Sequence, residues 1–196
     1  MLRVLRTWGY VDEWKLTDAG SRLARFYHEA DLLIAEALGD GHFDGLDPAS
    51  LASLASVFTF EQRGAGPAPA PSFPSKTLRQ RWLAIERLCA ELNLAEEEAG
   101  LPLTRQPDPG FMAMAYDWAK GDDLDSVLAD DDMSGGDFVR NAKQLIDLLR
   151  QLGDVAPNAG TSGSARDAAE GFFRGLVAAS SVIGTPTASP SPSPAA

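Results

Sequence analysis

Residues 134–152 read SGGDFVRNAKQLIDLLRQL, and this stretch decides the fold class. Ser134 is a favourable N-cap residue, so a helix is predicted to begin at residue 135. Apolar residues then recur at intervals of four, three, four and three positions, at Phe138, Ala142, Leu145, Leu149 and Leu152. This spacing places them on one face of an α-helix. We therefore predict an amphipathic helix over residues 135–152 whose apolar face packs against other helices.

A polar stripe follows the same helix with the same spacing. Its members each come two positions after an apolar residue, at Arg140, Gln144, Asp147 and Gln151. Two residues turn a helix by about 200°, so this stripe lies opposite the apolar face. Two interpretations stay open. The stripe is either an ordinary water-facing surface, or it lines a groove for a polar polymer that Arg140, Lys143, Gln144 and Asp147 contact.

The residues before this helix also predict helices. Residues 1–16 predict a short helix and a small hairpin, and Thr17 is a suitable N-cap for the helix that follows. An apolar stripe continues that helix to Gly39, beginning with Leu23, Phe26, Tyr27 and Ala30. The pattern thus predicts one long helix with Tyr27 on its buried face. A further helix begins at Asp47-Pro48, and residues 17–63 form a first helical half.

Prolines and glycines divide this half from a second one. Residues 64–75 contain four prolines, which predicts an extended linker. A long helix over about 76–98 opens the second half, residues 76–183, which also holds the amphipathic helix and a last helix over about 164–182. Residues 184–196 have no charged side chain and alternate proline with small residues, which predicts a disordered tail. The predicted fold class is all-α, a helical bundle.

Composition restricts the functional classes. The chain has 17 Lys and Arg against 28 Asp and Glu, a net charge of −11, which argues against a broad basic face for nucleic acid. A local contact with nucleic acid remains compatible with this charge. No apolar run is long enough for a membrane span, and no secretory signal is evident, so a cytoplasmic location is expected. The single cysteine, Cys89, has leucines around it and predicts a buried thiol rather than a nucleophile.

Several catalytic motifs are missing from the sequence. It has no Gly-x-x-x-x-Gly-Lys-Ser/Thr phosphate cradle, no Gly-x-Gly-x-x-Gly fingerprint and no Gly-x-Ser-x-Gly elbow. The two histidines, His28 and His42, lack the spacing of a zinc site, so no metal is expected. We expect the chain by itself to be neither an enzyme nor a binder of any cofactor.

Ordered segments across residues 2–183 resemble the DSHCT domain, the C-terminal helical domain of superkiller-type DExH-box ATP-dependent RNA helicases, including the HelY-like branch. The segments are LRTWGYVD at 5–12, LTDAGSRLA at 16–24, DLLIAEAL at 31–38, LDPASLA at 46–52, AYDWAKG at 115–121, SGGDFVR at 134–140 and QLIDLL at 144–149. In that family the domain packs beside two motor domains and a winged helix. The resemblance implies that residues 1–16 are the end of a winged-helix region.

The resemblance also favours the second interpretation of the polar stripe. Residues 135–152 are similar to the family's ratchet helix, which lies along the RNA channel and touches bases of the threaded strand. Arg140 and Asp147 match the family's pattern, while Gln144 stands where many members carry a basic residue. The implied partners are single-stranded RNA, with DNA as the alternative strand, and helicase motor domains in cis or in trans, which would bind ATP and Mg²⁺. A stand-alone helical module for protein–protein interaction is the alternative function.

Overall fold

Side chains that accept hydrogen bonds from first-turn amides define where most of the helices begin. The computed structural model describes residues 1–62, 70–129, 133–175 and 177–178. The helices in these ranges are α1 (Leu2–Thr7), α2 (Asp18–Leu23), α3 (Asp31–Gly39), α4 (Pro48–Thr59), α5 (Lys76–Glu98), α6 (Met112–Lys120), α7 (Leu124–Leu128), α8 (Gly135–Val155) and α9 (Ala159–Phe172). Helices α2, α4 and α8 begin at the predicted caps, which are Thr17, Asp47 and Ser134, and Ser75 caps α5 in the same way.

One antiparallel strand pair interrupts the helices. Strands β1 (Val11–Asp12) and β2 (Lys15–Leu16) form the hairpin predicted before Thr17, with Val11 opposite Leu16 and Asp12 opposite Lys15. The rest of the regular structure in the described ranges is helical, so the all-α prediction is confirmed. Within those same ranges, no helix combines the length and the apolar character that a bilayer crossing requires.

Helix α4 lies at the centre of the bundle because it is apolar or small on nearly every side. It contacts α5, α6, α8 and α9, and its residues from Leu51 to Phe58 are all buried. Two serines lie in this interior, and both are satisfied by carbonyl oxygens. The Ser53 hydroxyl donates to the Met112 carbonyl at 2.7 Å, and Ser56 donates to the Ser53 carbonyl at 2.7 Å. Small residues thus bring neighbouring backbones close without leaving an unpaired polar group.

Helix α8 packs its predicted apolar face into this core. All five residues of that face are fully buried, and α8 contacts both α4 and α9. The Trp118 ring of α6 meets the Phe138 ring edge-on at 5.1 Å, and its indole N–H donates to the Phe172 carbonyl at 3.0 Å. Trp118 therefore connects α6 with both α8 and α9.

The single helix predicted from Thr17 to Gly39 is wrong. The chain leaves the helix after Leu23 and resumes it at Asp31, and Tyr27 is exposed rather than buried. Side chains satisfy the backbone amides that a continuous helix would otherwise pair. Gln151 accepts from the Tyr27 amide at 2.8 Å, and His28 Nδ1 accepts from the Ala30 amide at 3.0 Å. These bonds compete with the helical pattern and keep the segment between α2 and α3 out of a continuous helix.

The last predicted helix also differs in the structure. Helix α9 begins at Ala159, earlier than the predicted residue 164, because Asn158 Oδ1 accepts from the Gly160 amide at 2.9 Å and caps it. Residues 63–69, which include the first half of the predicted linker, lie outside the described residues, as do residues 179–196 with the predicted tail. Helices on either side of residues 64–75 pack together, since α5 contacts α3 and α4. The division into two halves stays a prediction.

Candidate nucleic-acid interface

An open groove of about 450 Å³ runs beside the polar face of α8. One wall consists of α8 side chains, including Arg140, Gln144, Asp147 and Gln151. The other wall is formed by residues 27–29 of the loop between α2 and α3, by the C-terminal end of α4, and by Arg105. Four segments that are separate in sequence therefore meet at this groove.

The structure brings together three of the four residues predicted to contact a polymer. Arg140, Gln144 and Asp147 are exposed and line the groove. Lys143 is half-buried and does not belong to the lining. Three residues turn a helix by about 300°, so Lys143 points about 60° away from Arg140 around the helix axis. The role predicted for Lys143 stays a prediction.

The polar side chains on the α8 wall are only loosely held by protein partners. Arg140 pairs with Asp137 one turn earlier at 2.9 Å, and Asp147 pairs with Arg150 at 3.7 Å. Exposed pairs of this kind contribute little to stability, so a ligand can displace them at small cost. Gln144 has no hydrogen-bond partner among the described residues, and its amide can both donate and accept.

Arg105 holds the opposite wall in place. Its guanidinium donates to the carbonyl oxygens of Phe58 at 2.6 Å and Phe60 at 2.9 Å, at the end of α4. It also pairs with Glu29 of the loop at 3.1 Å. Arg105 therefore joins the loop to α4. Sequence reasoning missed this residue, because a single arginine between two helices carries no periodic or motif signal.

The loop is fastened to α8 as well. Gln151, the last member of the polar stripe, accepts a hydrogen bond from the Tyr27 amide instead of facing water. Next to it, His28 Nδ1 accepts from the Ala30 amide. Burial lowers the pKa of His28, outweighing the nearby carboxylate of Glu29, so the ring is neutral at neutral pH. The loop thus adds an uncharged imidazole to the groove.

The charges in the groove do not form a cationic channel. Arg105 and Arg140 face three carboxylates, which belong to Glu29, Glu61 and Asp147. Such a lining cannot attract a polyanion by charge alone. It offers instead hydrogen-bond donors and acceptors close to Arg140, whose only ion pair is an exposed one, and this set suits polar edges such as those of bases.

Two features bear on metal binding and on cysteine reactivity in the described ranges. No group of three or more His, Cys, Asp or Glu side chains lies close enough there to hold a metal ion. Cys89 is fully buried, as predicted, and burial raises the pKa of its thiol to about 11. A protonated, buried thiol is not a nucleophile at neutral pH.

Comparison with known proteins identifies relatives along most of the chain. Probable helicase HelY of Mycobacterium leprae is 41% identical over 181 residues, which cover 87% of this chain and 20% of that protein. Probable helicase HelY of Mycobacterium tuberculosis strain H37Rv is 39% identical over 173 residues, which cover 83% of this chain and 19% of that protein. Human exosome RNA helicase MTR4 is 28% identical over 177 residues, which cover 88% of this chain and 17% of that protein.

The chain spans about a fifth of the length of these HelY relatives. The family model described as the DSHCT (NUC185) domain matches residues 13–180, which include β2, helices α2 to α9 and all the residues that line the groove. That match covers far more than half of the sequence and agrees with the resemblance found from its ordered segments. The chain belongs to the DSHCT (NUC185) domain family.

Proposed function

We propose that this chain is the RNA-guiding C-terminal helical domain of an ATP-dependent 3′-to-5′ RNA helicase. In this proposal ATP and Mg²⁺ bind helicase motor domains, which belong either to the same polypeptide or to a separate one. The family match supports a helicase context, because relatives from mycobacteria to mammals carry helicase names. The name of the exosome RNA helicase MTR4 specifies RNA, which favours RNA over DNA as the strand.

One observation carries the proposal. The predicted polar stripe lines an open groove through Arg140, Gln144 and Asp147, instead of facing bulk solvent on a convex surface. Unpaired bases present their hydrogen-bonding edges only in a single strand, and amide, carboxylate and guanidinium groups match those edges. The groove therefore suits contact with the bases of an unwound strand.

The acidic balance of the chain fits a guiding role. A net charge of −11 and a lining with three carboxylates leave few phosphate contacts to this domain. Phosphate binding falls to the motor domains, and the groove constrains the path of a strand that other domains hold. A strand that must advance with each ATP cycle requires contacts that break readily, and the weak ion pairs of α8 meet that requirement.

The test is unwinding by the complete helicase that contains this domain, with Arg140→Ala and Asp147→Ala as variants. The chain offers matched controls in Arg166→Ala and Asp154→Ala, an exposed ion pair at 3.6 Å that does not line the groove. The proposal expects slower unwinding for both groove variants, with unchanged folding and ATP hydrolysis, and normal unwinding for both controls. A DNA substrate of the same sequence determines whether the sugar matters.

Unchanged unwinding and unchanged RNA crosslinking in both groove variants would contradict this assignment.

A stand-alone protein-interaction module, the second candidate, has its own supporting observation. Trp14 and Leu16 on the hairpin are 83% and 57% exposed, which leaves an apolar surface open to another protein domain. Normal unwinding in Arg140→Ala and Asp147→Ala, with loss of a protein partner in Trp14→Ala, would favour that module.

A further inference from the structure

Tyr27 is a large aromatic side chain left in water beside the groove. The residue is 84% exposed and lines the same groove as Gln144 and Asp147. An isolated exposed aromatic residue usually needs no explanation, but this one lies at the groove for which we propose a nucleic-acid strand. Its phenol also makes no hydrogen bond to any described residue, so the ring contributes little to the fold.

The backbone of Tyr27 is nevertheless held firmly. Phe26 and Ala30 on either side are each 5% exposed and anchor the loop in the core. The Gln151 side chain accepts from the Tyr27 amide at 2.8 Å, which links the loop directly to α8. A ring mounted on a fixed backbone loses little conformational entropy when it binds a flat ligand.

The charges beside it indicate what kind of contact the groove can make. Arg105 is already committed to two carbonyl oxygens and to Glu29. Arg140 is then the cation of the lining that can turn to a phosphate, against three carboxylates. Stacking of a base on an aromatic ring needs no net charge and tolerates any base. A groove poor in free cations can therefore retain a strand through its bases.

We propose that the Tyr27 ring is a stacking platform for an unpaired base of the strand in this groove, and that Gln151 is the residue that positions it. This inference rests on the proposed function and adds a contact from outside α8. The platform would bind bases without sequence preference, while the α8 side chains meet base edges. An element that stacks on any base suits a domain through which many sequences pass.

The experiment compares the binding of two labelled single strands to the full chain, an oligouridylate and a strand of equal length with abasic riboses. Tyr27→Ala should weaken binding to oligouridylate by roughly five- to a hundredfold, the effect typical of one stacked base. Tyr27→Phe should keep the wild-type affinity. The abasic strand should bind Tyr27→Ala and wild type equally. Trp14→Ala, which removes an equally exposed aromatic away from the groove, should change nothing.

A double variant tests the role given to Gln151. Gln151→Ala should weaken binding to oligouridylate, and Tyr27→Ala combined with Gln151→Ala should bind no more weakly than Tyr27→Ala alone, because both changes act through one ring. Additive losses would show that Gln151 contacts RNA by itself and would overturn its positioning role.

The possible failures are distinguishable. If Arg140→Ala and Asp147→Ala weaken binding of oligouridylate while Tyr27→Ala leaves it unchanged, the stacking inference is wrong and the proposed function survives. An equal loss of affinity for the abasic strand in Tyr27→Ala would also overturn stacking. If wild type gives neither binding nor crosslinks to oligouridylate, and groove variants of the complete helicase unwind normally, both proposals fall.

Discussion

Replacing Arg105 by alanine tests whether one side chain holds the second wall of the groove together. The guanidinium is the partner of the Phe58 carbonyl, one of the last carbonyls of α4, which have no partner within the helix. The neighbouring Val57 carbonyl receives the Asp108 amide at 2.9 Å. The segment after α5 thus caps the end of α4, and Arg105 makes the charged part of that cap.

The expected loss of stability follows from the exposure of each partner. A hydrogen bond to a charged group contributes about 1.5–3 kcal/mol, and we take the lower part of that range because the Arg105 side chain is 26% exposed. Glu29 is 69% exposed, so its ion pair adds less than about 1 kcal/mol. Arg105→Ala should therefore lower the free energy of unfolding by about 2–4 kcal/mol, most of it through the two carbonyl oxygens.

Urea unfolding followed by circular dichroism measures this loss, provided that the m value, the slope of the free energy of unfolding against urea concentration, is the same in the variant and in wild type. Arg105→Lys should recover part of the stability, because an ammonium can reach one carbonyl but cannot span two. Glu29→Ala should cost less than about 1 kcal/mol. The reasoning is refuted if Arg105→Ala costs less than about 1 kcal/mol, or if Glu29→Ala costs as much as Arg105→Ala.

Two further predictions concern the loop and the N-terminal segment. Because burial lowers the pKa of His28 below its ordinary value of 6.5, the neutral ring contributes stability above that pH, and this contribution falls as pH drops through the lowered pKa. NMR titration should give His28 a pKa below 6.5, and a pKa at or above 6.5 would contradict the burial argument. The variant His28→Asn keeps a hydrogen-bond acceptor but does not titrate, so it should lose less stability than wild type on acidification. Gly20→Ala places a Cβ in steric overlap with the Tyr10 carbonyl oxygen, so it should destabilise by about 1–3 kcal/mol in thermal or urea unfolding. Its control, Gly163→Ala in α9, meets nothing within 4 Å and should stabilise by about 0.5–1 kcal/mol; equal effects of the two substitutions would rule out the steric explanation.

Local sequence patterns predicted several of the helices and their buried faces. The spacing of Phe138, Ala142, Leu145, Leu149 and Leu152 specified the buried face of α8, and Ser134 specified its start. The cap at Asn158 was missed because small residues after it resemble a loop, although the Asn side chain begins α9 there. Periodicity and capping depend on neighbours within one or two turns, so one sequence is enough to find them.

The candidate site likewise has features that follow from local sequence and features that depend on distant contacts. The all-α class and the polar face of α8 with Arg140, Gln144 and Asp147 could be predicted from the sequence, because both follow from helical geometry. That this face lines a groove could not be predicted, since the opposite wall depends on the distant Arg105. The exposure of Tyr27 likewise depends on contacts between distant segments. The apolar spacing favoured a buried tyrosine, but a hydrogen bond from its amide to Gln151 of α8, far along the chain, holds that segment out of the helix.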